Sequence, residues 1–288
     1  MISSDIKRLK IKANAKINLT LAITGKREDG YHLIDTVMQS VSLGDTVLLK
    51  KNDKISVKCK GVDISEADNI AFKAAKLFFN QTGLNGGASI KIKKQIPDAA
   101  GMGGGSADAA AVLVGLNRLY KSNLSTEKLE QMALELGADV PFFIRGGTMR
   151  AEGIGEILTE LKPFLEGYFV LVKEGKKPST KEMYNKVDNE NPPMPDNKSF
   201  IKALESGDLD KASGYFENSF SIVWKENELP KRLMDLGAVS ASLSGSGPTN
   251  FGWFKDEKTA KSAFKAIKKE NKKVYLVKPL NCGLEIFE

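Results

Sequence analysis

Histidine and cysteine are almost missing from this 288-residue chain, which holds one of the former, His32, and two of the latter, Cys59 and Cys282. Two cysteines so far apart build neither a disulfide framework nor a cysteine-rich zinc site, and one histidine excludes a two-histidine metal centre. Long apolar runs are missing too: the longest, Ala109 to Leu116, falls well short of the ~20 residues that cross a bilayer. The first residues mix Asp5, Lys7 and Arg8 and lack the continuous apolar stretch of a signal segment. These absences predict a soluble cytoplasmic protein with free thiols and no membrane partner. Nor does one sign of charge dominate, since 43 Lys and Arg face 36 Asp and Glu, a net +7. Such an excess favours an anionic partner without choosing among nucleic acid, a membrane surface and a phosphorylated small molecule.

What is present is the composition of a globular protein, 41% hydrophobic and 27% charged, long enough for two domains at roughly 150 residues each. Residues 10–23 alternate, with Ile11, Ala13, Ala15, Ile17, Leu19, Leu21 and Ile23 on one face and Lys12, Asn14, Lys16, Asn18 and Thr20 on the other, the pattern of a half-buried strand. Further strands are expected at 45–50, 55–60 and 88–96, making the first third largely antiparallel sheet. Helices are expected over 69–81, from a cap at Asp68 or Asn69 to a stop at Gly83, from near Ser106 to about Tyr120, and over 126–136 before Gly137. Residues 174–198 contain Pro178, Pro192, Pro193 and Pro195 and read as a long loop or an excursion near a domain junction. A strand, glycine turn and strand over 236–254, a helix at 258–270 and a strand at 274–278 complete an α+β pattern without internal repeats.

The strongest chemical signal is the run Pro97, Asp98, Ala99, Ala100, Gly101, Met102, Gly103, Gly104, Gly105, Ser106 and Ala107, set between a strand and a helix. Glycines let backbone approach a ligand, and free N–H groups at a helix start form an anion cradle that suits a di- or triphosphate. No Gly-Lys-Ser/Thr follows, so this is not a Walker A loop, and no mononucleotide-binding βαβ unit surrounds it. Ser106 stands where a helix N-cap is expected, which leaves capping and a phosphate contact both open for its hydroxyl.

Together with Gly137-Ala138-Asp139-Val140-Pro141, Leu243-Ser244-Gly245-Ser246-Gly247-Pro248 and the strand Ala13 to Leu19, this loop resembles the motif pattern of the GHMP kinase superfamily. The segment Ile23 to His32, with Gly30-Tyr31-His32, and the piece Glu152 to Glu156 are similar to the members of that superfamily whose acceptor substrate is diphosphocytidyl methylerythritol. The resemblance implies a two-domain α+β fold. Its first domain, residues 1–160, is ribosomal-protein-like and carries the ATP loop; its second, residues 161–288, is ferredoxin-like, and the active site lies in the cleft between them. It also implies ATP and Mg2+ as cofactors, although no carboxylate can be assigned as a metal ligand.

Phosphoryl transfer needs an aligned hydroxyl, a base or positioning group, and positive charge on the moving phosphoryl group. Lys16 and Asp139 suit those tasks, and the alternation of the first strand already places Lys16 and Asn18 on one polar face. The resemblance implies that the lysine adjoins the aspartate, which polarises the acceptor hydroxyl; on local pattern alone Asp139 reads as a helix N-cap and Lys16 as one more solvated lysine. Tyr31 and His32 suit the stacking and edge recognition of a cytosine. The resemblance makes Tyr184 the second stacking ring, with Thr180 nearby, and brings Gly245, Ser246 and Gly247 to the border of the substrate site. Met102 is expected as an apolar wall for the nucleotide and not as core. Two alternatives stand beside this reading: another small-molecule kinase of the same superfamily, of homoserine or mevalonate type, and a basic RNA-binding module. The second is weakened because Lys258, Lys261 and Lys265, and the run Lys268, Lys269, Lys272 and Lys273, have few aromatic neighbours expected to be exposed and read better as solvated surface.

Overall fold

The computed structural model describes residues 7–62, 64–176, 178–270 and 273–287, so Lys272 of the C-terminal lysine run lies outside the described residues. The chain opens with two long strands, β1 (Arg8–Lys26) and β2 (His32–Asn52), followed by β3 (Ser56–Lys60), α1 (Ile70–Thr82) and β4 (Gly87–Lys93). Three helices come next, α2 (Gly104–Leu119), α3 (Thr126–Leu136) and α4 (Val140–Arg145), and then β5 (Thr148–Gly153) and β6 (Ile157–Glu160). The second half runs β7 (Tyr168–Lys173), α5 (Thr180–Val187), α6 (Asn197–Ser206), α7 (Leu209–Ser213), a 3-10 turn at Ser219–Val223, and α8 (Leu229–Asp235). It ends with β8 (Ser240–Leu243), β9 (Thr249–Phe254), α9 (Glu257–Lys268), β10 (Lys273–Val277), β11 (Pro279–Leu280) and β12 (Leu284–Phe287).

Local chemistry explains several of these boundaries. Asn69 accepts from the Ala71 N–H and starts α1, Gly83 ends it in a left-handed conformation at φ 65°, and Ser125 accepts from the Lys128 N–H to start α3. The segment read as a long loop contains a helix, because Ser179 and Glu182 form a reciprocal capping box that starts α5. Proline clustering there had suggested a loop, yet the prolines flank the helix.

Two sheets build the fold. In the first, β12, β1, β2, β4 and β3 lie in that order while β5, paired with β6, and β11 also pair with β2. Its neighbours are antiparallel except β3 and β4, which run parallel because the crossover through α1 returns the chain in the same direction. The second sheet has the order β10-β7-β9-β8, entirely antiparallel, and with its intervening helices traces the β-α-β-β-α-β path of a ferredoxin-like domain. The last strands, β11 and β12, return to the first sheet, so sheet membership departs from a division at residue 160.

The alternation of β1 holds, but its faces are not those of a half-buried strand. Leu9, Ile11 and Ala13 belong to a core under α1 to α4, whereas Ala15, Ile17 and Leu19 belong to a second core shared with Phe164, Phe169 and Phe251. The register of β1 against β2 shifts between Asn14 and Ala15, and a bulge of this kind exchanges the faces. Lys12 therefore points toward Glu285 near solvent while Lys16 and Asn18 are turned to the helix side and buried. Strand β7 is covered on both faces, Phe169 and Leu171 in the shared core and Val170 and Val172 against α8 and α9. The shared core joins the two sheets and leaves a cleft beside it.

Candidate functional site

A cleft of about 930 Å³ lies between the two halves, bordered by β1, β2, the glycine loop, the start of α4 and α5. Its floor is drawn together by backbone. Lys16 N–H donates to Met102 O (3.2 Å), Asn18 N–H donates to Ser244 Oγ (3.3 Å), and that hydroxyl donates to Gly101 O (3.1 Å). One serine thus connects three sequence motifs that are far apart along the chain.

The glycines answer to packing as well as to any ligand. Gly101 (φ 76°) would place a Cβ 2.4 Å from Ser244 O, and Gly103 (φ 70°) would place one 2.4 Å from the Phe143 ring. Helix α2 begins two residues earlier than expected, with Gly103 as its N-cap, so Ser106 is not the cap; it sits in the first turn, half-buried and facing the cleft. The left-handed Gly103 permits this early start. The first N–H groups of a 16-residue helix, at Gly104, Gly105 and Ser106, have no intrahelical acceptor and point toward the cleft end of the helix.

Pro97, Asp98, Ala99, Ala100, Gly101, Gly103, Gly104, Gly105 and Ser106 all line the cleft. Met102 and Ala107 do not: Met102 is 1% exposed within the shared core and Ala107 is fully buried under the helical layer. Met102 is therefore core and not a nucleotide wall, because the loop turns its side chain inward while only its carbonyl meets Lys16.

Lys16 Nζ donates to Asn18 Oδ1 at 2.6 Å and lies 3.6 Å from Asp139 Oδ2. The lysine is buried and the aspartate remains accessible from the cleft, its side chain 41% exposed. Asp139 occupies the N-cap position of α4 yet makes no side-chain cap bond, so its carboxylate is available to the cleft. Asn18 is oriented in turn by Thr36, whose hydroxyl accepts from Asn18 Nδ2 (2.8 Å) and donates to Thr20 O (2.5 Å).

At the other end of the cleft, Tyr31 is 60% exposed just after the turn at Gly30. His32 does not join it in an open slot; its ring stacks on Tyr184, centroids 4.4 Å apart and 15° between planes, and its Nε2 lies 2.5 Å from Asp188 Oδ1. Phe220 meets Tyr184 edge-on at 4.9 Å. Burial, helped by the charge of Asp139, raises the Tyr184 hydroxyl pKa well above its usual value. Tyr184 is thus already stacked within the protein, while Tyr31 is the more exposed ring at this end. Thr180, the first residue of α5, lines the cleft, as do Gly245 and Ser246. Gly247 does not line it; it faces away, where a Cβ would meet the Trp224 ring at 2.8 Å.

Sequence reasoning missed Asp188, whose carboxylate is held below its usual pKa by hydrogen bonds from Lys26 and His32. It also missed Phe220 and Lys94 among the lining groups. The first two sit in segments with no motif, and Lys94 looks like any lysine of an alternating strand. For a metal, no group of three or more His, Cys, Asp or Glu side chains comes together among the described residues. No helix among them is long and apolar enough to cross a membrane.

Residues 69–147 match the family model of the GHMP kinase N-terminal domain and residues 227–273 that of the C-terminal domain. A homoserine kinase from Cytophaga hutchinsonii, 18% identical, shares the fold with a TM-score of 0.79 over 100% of this chain and 99% of its own. Fold, glycine loop and two-domain cleft place the protein in the class of GHMP kinases. A protein of Clostridium tetani named 4-diphosphocytidyl-2-C-methyl-D-erythritol kinase is 42% identical over 280 residues, 94% of this chain and 100% of the relative. A crystal structure of 4-(cytidine 5'-diphospho)-2C-methyl-D-erythritol kinase is 31% identical, with a TM-score of 0.76 over 94% of this chain and 98% of that one. The chain belongs to the 4-diphosphocytidyl-2-C-methyl-D-erythritol kinase family.

Proposed function

We propose that this protein transfers the γ-phosphoryl group of ATP to the 2-hydroxyl of 4-diphosphocytidyl-2-C-methyl-D-erythritol, a step in the non-mevalonate supply of isoprenoid precursors. The observation that carries the reading is the Lys16–Asp139 pair at 3.6 Å, set in one cleft between the glycine loop and the ring of Tyr31. The polyphosphate lies along the loop from Pro97 to Ser106, its charge met by the N–H groups at the start of α2. The cytidine reaches toward Tyr31, with His32, Thr180 and Tyr184 shaping that end and Gly245 and Ser246 closing the side.

In this arrangement the acceptor hydroxyl comes between Asp139 and the γ-phosphoryl group. Asp139 accepts the hydroxyl proton or orients the hydroxyl as it attacks, and Lys16 supplies positive charge to the oxygens on which negative charge is concentrated. Mg2+ would supply charge neutralisation when it accompanies ATP; with no group of three or more His, Cys, Asp or Glu side chains together among the described residues, its ligands would come chiefly from the phosphates. The substrate is a small molecule, and the reading needs neither nucleic acid nor membrane. Incubating the purified protein with ATP and a panel of acceptors tests it: ADP should appear with the diphosphocytidyl substrate and not with homoserine or mevalonate. Turnover of either of those in preference would replace this reading with another kinase of the same class.

A further inference from the structure

Three ionisable side chains that the proposed chemistry does not use meet behind the glycine loop. Asp45 comes from β2, Lys94 from the residue after β4, and Asp108 from near the start of α2. Lys94 Nζ lies 2.5 Å from Asp45 Oδ2 and 2.6 Å from Asp108 Oδ2. Both carboxylates are buried, and Asp108 Oδ1 has no hydrogen-bond partner among the described residues. Two buried carboxylates thus share one ammonium group. With all three ionised, the cluster holds a net negative charge on largely buried groups, which is costly.

The position of the cluster gives it consequence. Asp45 Oδ1 accepts the N–H groups of Gln95 (2.5 Å) and Ile96 (2.9 Å), the residues that lead into Pro97. Asp108 belongs to the helix that leaves the loop, and a Cβ at Gly104 would stand 3.3 Å from Lys94 Nζ. Both ends of the loop are therefore tied to the same three side chains, and Lys94 itself lines the cleft.

We infer that Asp45, Lys94 and Asp108 are positioning residues that brace both ends of the glycine loop and, by gaining or losing one proton, set its affinity for a nucleotide polyphosphate. The inference rests on the proposal that this loop holds ATP. Burial pushes the Asp108 carboxyl up to about 7, the charge of Asp45 acting in the same direction and Lys94 against it. Burial works against the charge on Lys94, but the two carboxylates outweigh it and hold its pKa above the usual lysine value. The titratable group that faces the cluster from β3 is Cys59, whose thiol is raised by burial and by Asp108, with Asp45 and Asp98 of the loop acting on it in the same direction and Lys94 against them.

The sign follows from the charges. With the proton in place the cluster is neutral; without it one negative charge stands behind the start of α2, facing the polyphosphate. Nucleotide affinity should fall as pH rises through neutrality.

Calorimetric titration of ADP into the wild-type protein and into Asp108→Asn, from about pH 6 to about pH 8.5, tests this. Subtracting one curve from the other cancels the titration of ADP itself. The wild type should weaken by about three- to tenfold relative to the variant across that range, the effect of one unit charge acting across a partly hydrated loop. Parallel curves would overturn the inference while leaving the nucleotide site intact. Absence of ADP binding at every pH would overturn the nucleotide-site reading as well. Should Asp108→Asn not fold, carbon-13 carboxyl spectra of the wild type serve instead: one aspartate should titrate near neutrality with a midpoint that moves up when ADP binds. A set of aspartates all titrating below about pH 6, or a midpoint indifferent to ADP, would refute it. In turnover, Asp45→Asn leaves Asp108 paired with Lys94 alone, so the rise of KM for ATP with pH should be lost with kcat within about twofold, and a KM that still rises with pH or a loss confined to kcat would contradict the inference.

Discussion

Replacing Asp139 by asparagine separates chemistry from architecture. The two side chains have the same shape, and Asp139 makes no cap bond to α4, so the helix start should survive. The loss to stability comes from the ion pair with Lys16. At 3.6 Å the Coulomb energy of two unit charges is about 1 kcal/mol in a water-like medium and about 4–5 kcal/mol at an effective dielectric constant of 20. Because the Asp139 side chain is 41% exposed, the lower figure governs, and Lys16 keeps its 2.6 Å bond to Asn18 Oδ1. A stability loss on the order of 1 kcal/mol is expected. A lost proton acceptor costs far more: roughly 10²–10⁴ in kcat, equivalent to about 2.7–5.4 kcal/mol of barrier. The assay is ADP release at saturating ATP and diphosphocytidyl substrate, beside urea unfolding of both proteins. A variant that folds, binds ADP and keeps kcat within about threefold of wild type would refute the role given to Asp139.

Three further changes probe the rest of the cleft. Tyr31→Ala should raise KM for the diphosphocytidyl substrate about 5- to 150-fold while Tyr31→Phe stays near wild type, the loss of a stacked ring being worth ~1–3 kcal/mol; equal effects of the two would assign the loss to the hydroxyl. Asp188→Asn takes the carboxylate partner from both His32 and Lys26; steady-state kinetics should show KM for that substrate rising roughly tenfold with KM for ATP unmoved. Gly101→Ala forces a left-handed alanine against Ser244 O, and urea unfolding should show a loss of about 2–5 kcal/mol from backbone strain and overpacking together.

Helices α1 and α3 were legible to within a residue, because Asn69, Gly83 and Gly137 act on backbone groups only a few positions away. The glycine loop was legible for the same reason: a run of residues without side chains is a local statement about backbone. So was the presence of a polar pair, Lys16 and Asn18, two residues apart on one strand. The start of α2 was not, since Gly103 takes over as N-cap in a left-handed conformation packed closely against the Phe143 ring, which is distant in sequence. The inward turn of Met102 belongs with it, because a core shared between two sheets leaves no trace in a local window.

Periodicity within β1 identified two faces, while the bulge after Asn14 decided which neighbour each face meets. Pairing with β2 and burial against two different cores impose that bulge, and both depend on residues distant in sequence. The same holds for Ser244 linking Asn18 to Gly101, for His32 stacked on Tyr184, and for Asp45 and Asp108 closing on Lys94. The sequence by itself determined the short-range elements, the glycine loop and the residue types the proposed chemistry requires, since each rests on hydrogen bonds and steric limits within a few residues. Which side chains share a charge, a proton or a ring face was decided by the tertiary structure alone, because those energies arise between groups that only the folded chain brings within a few ångströms.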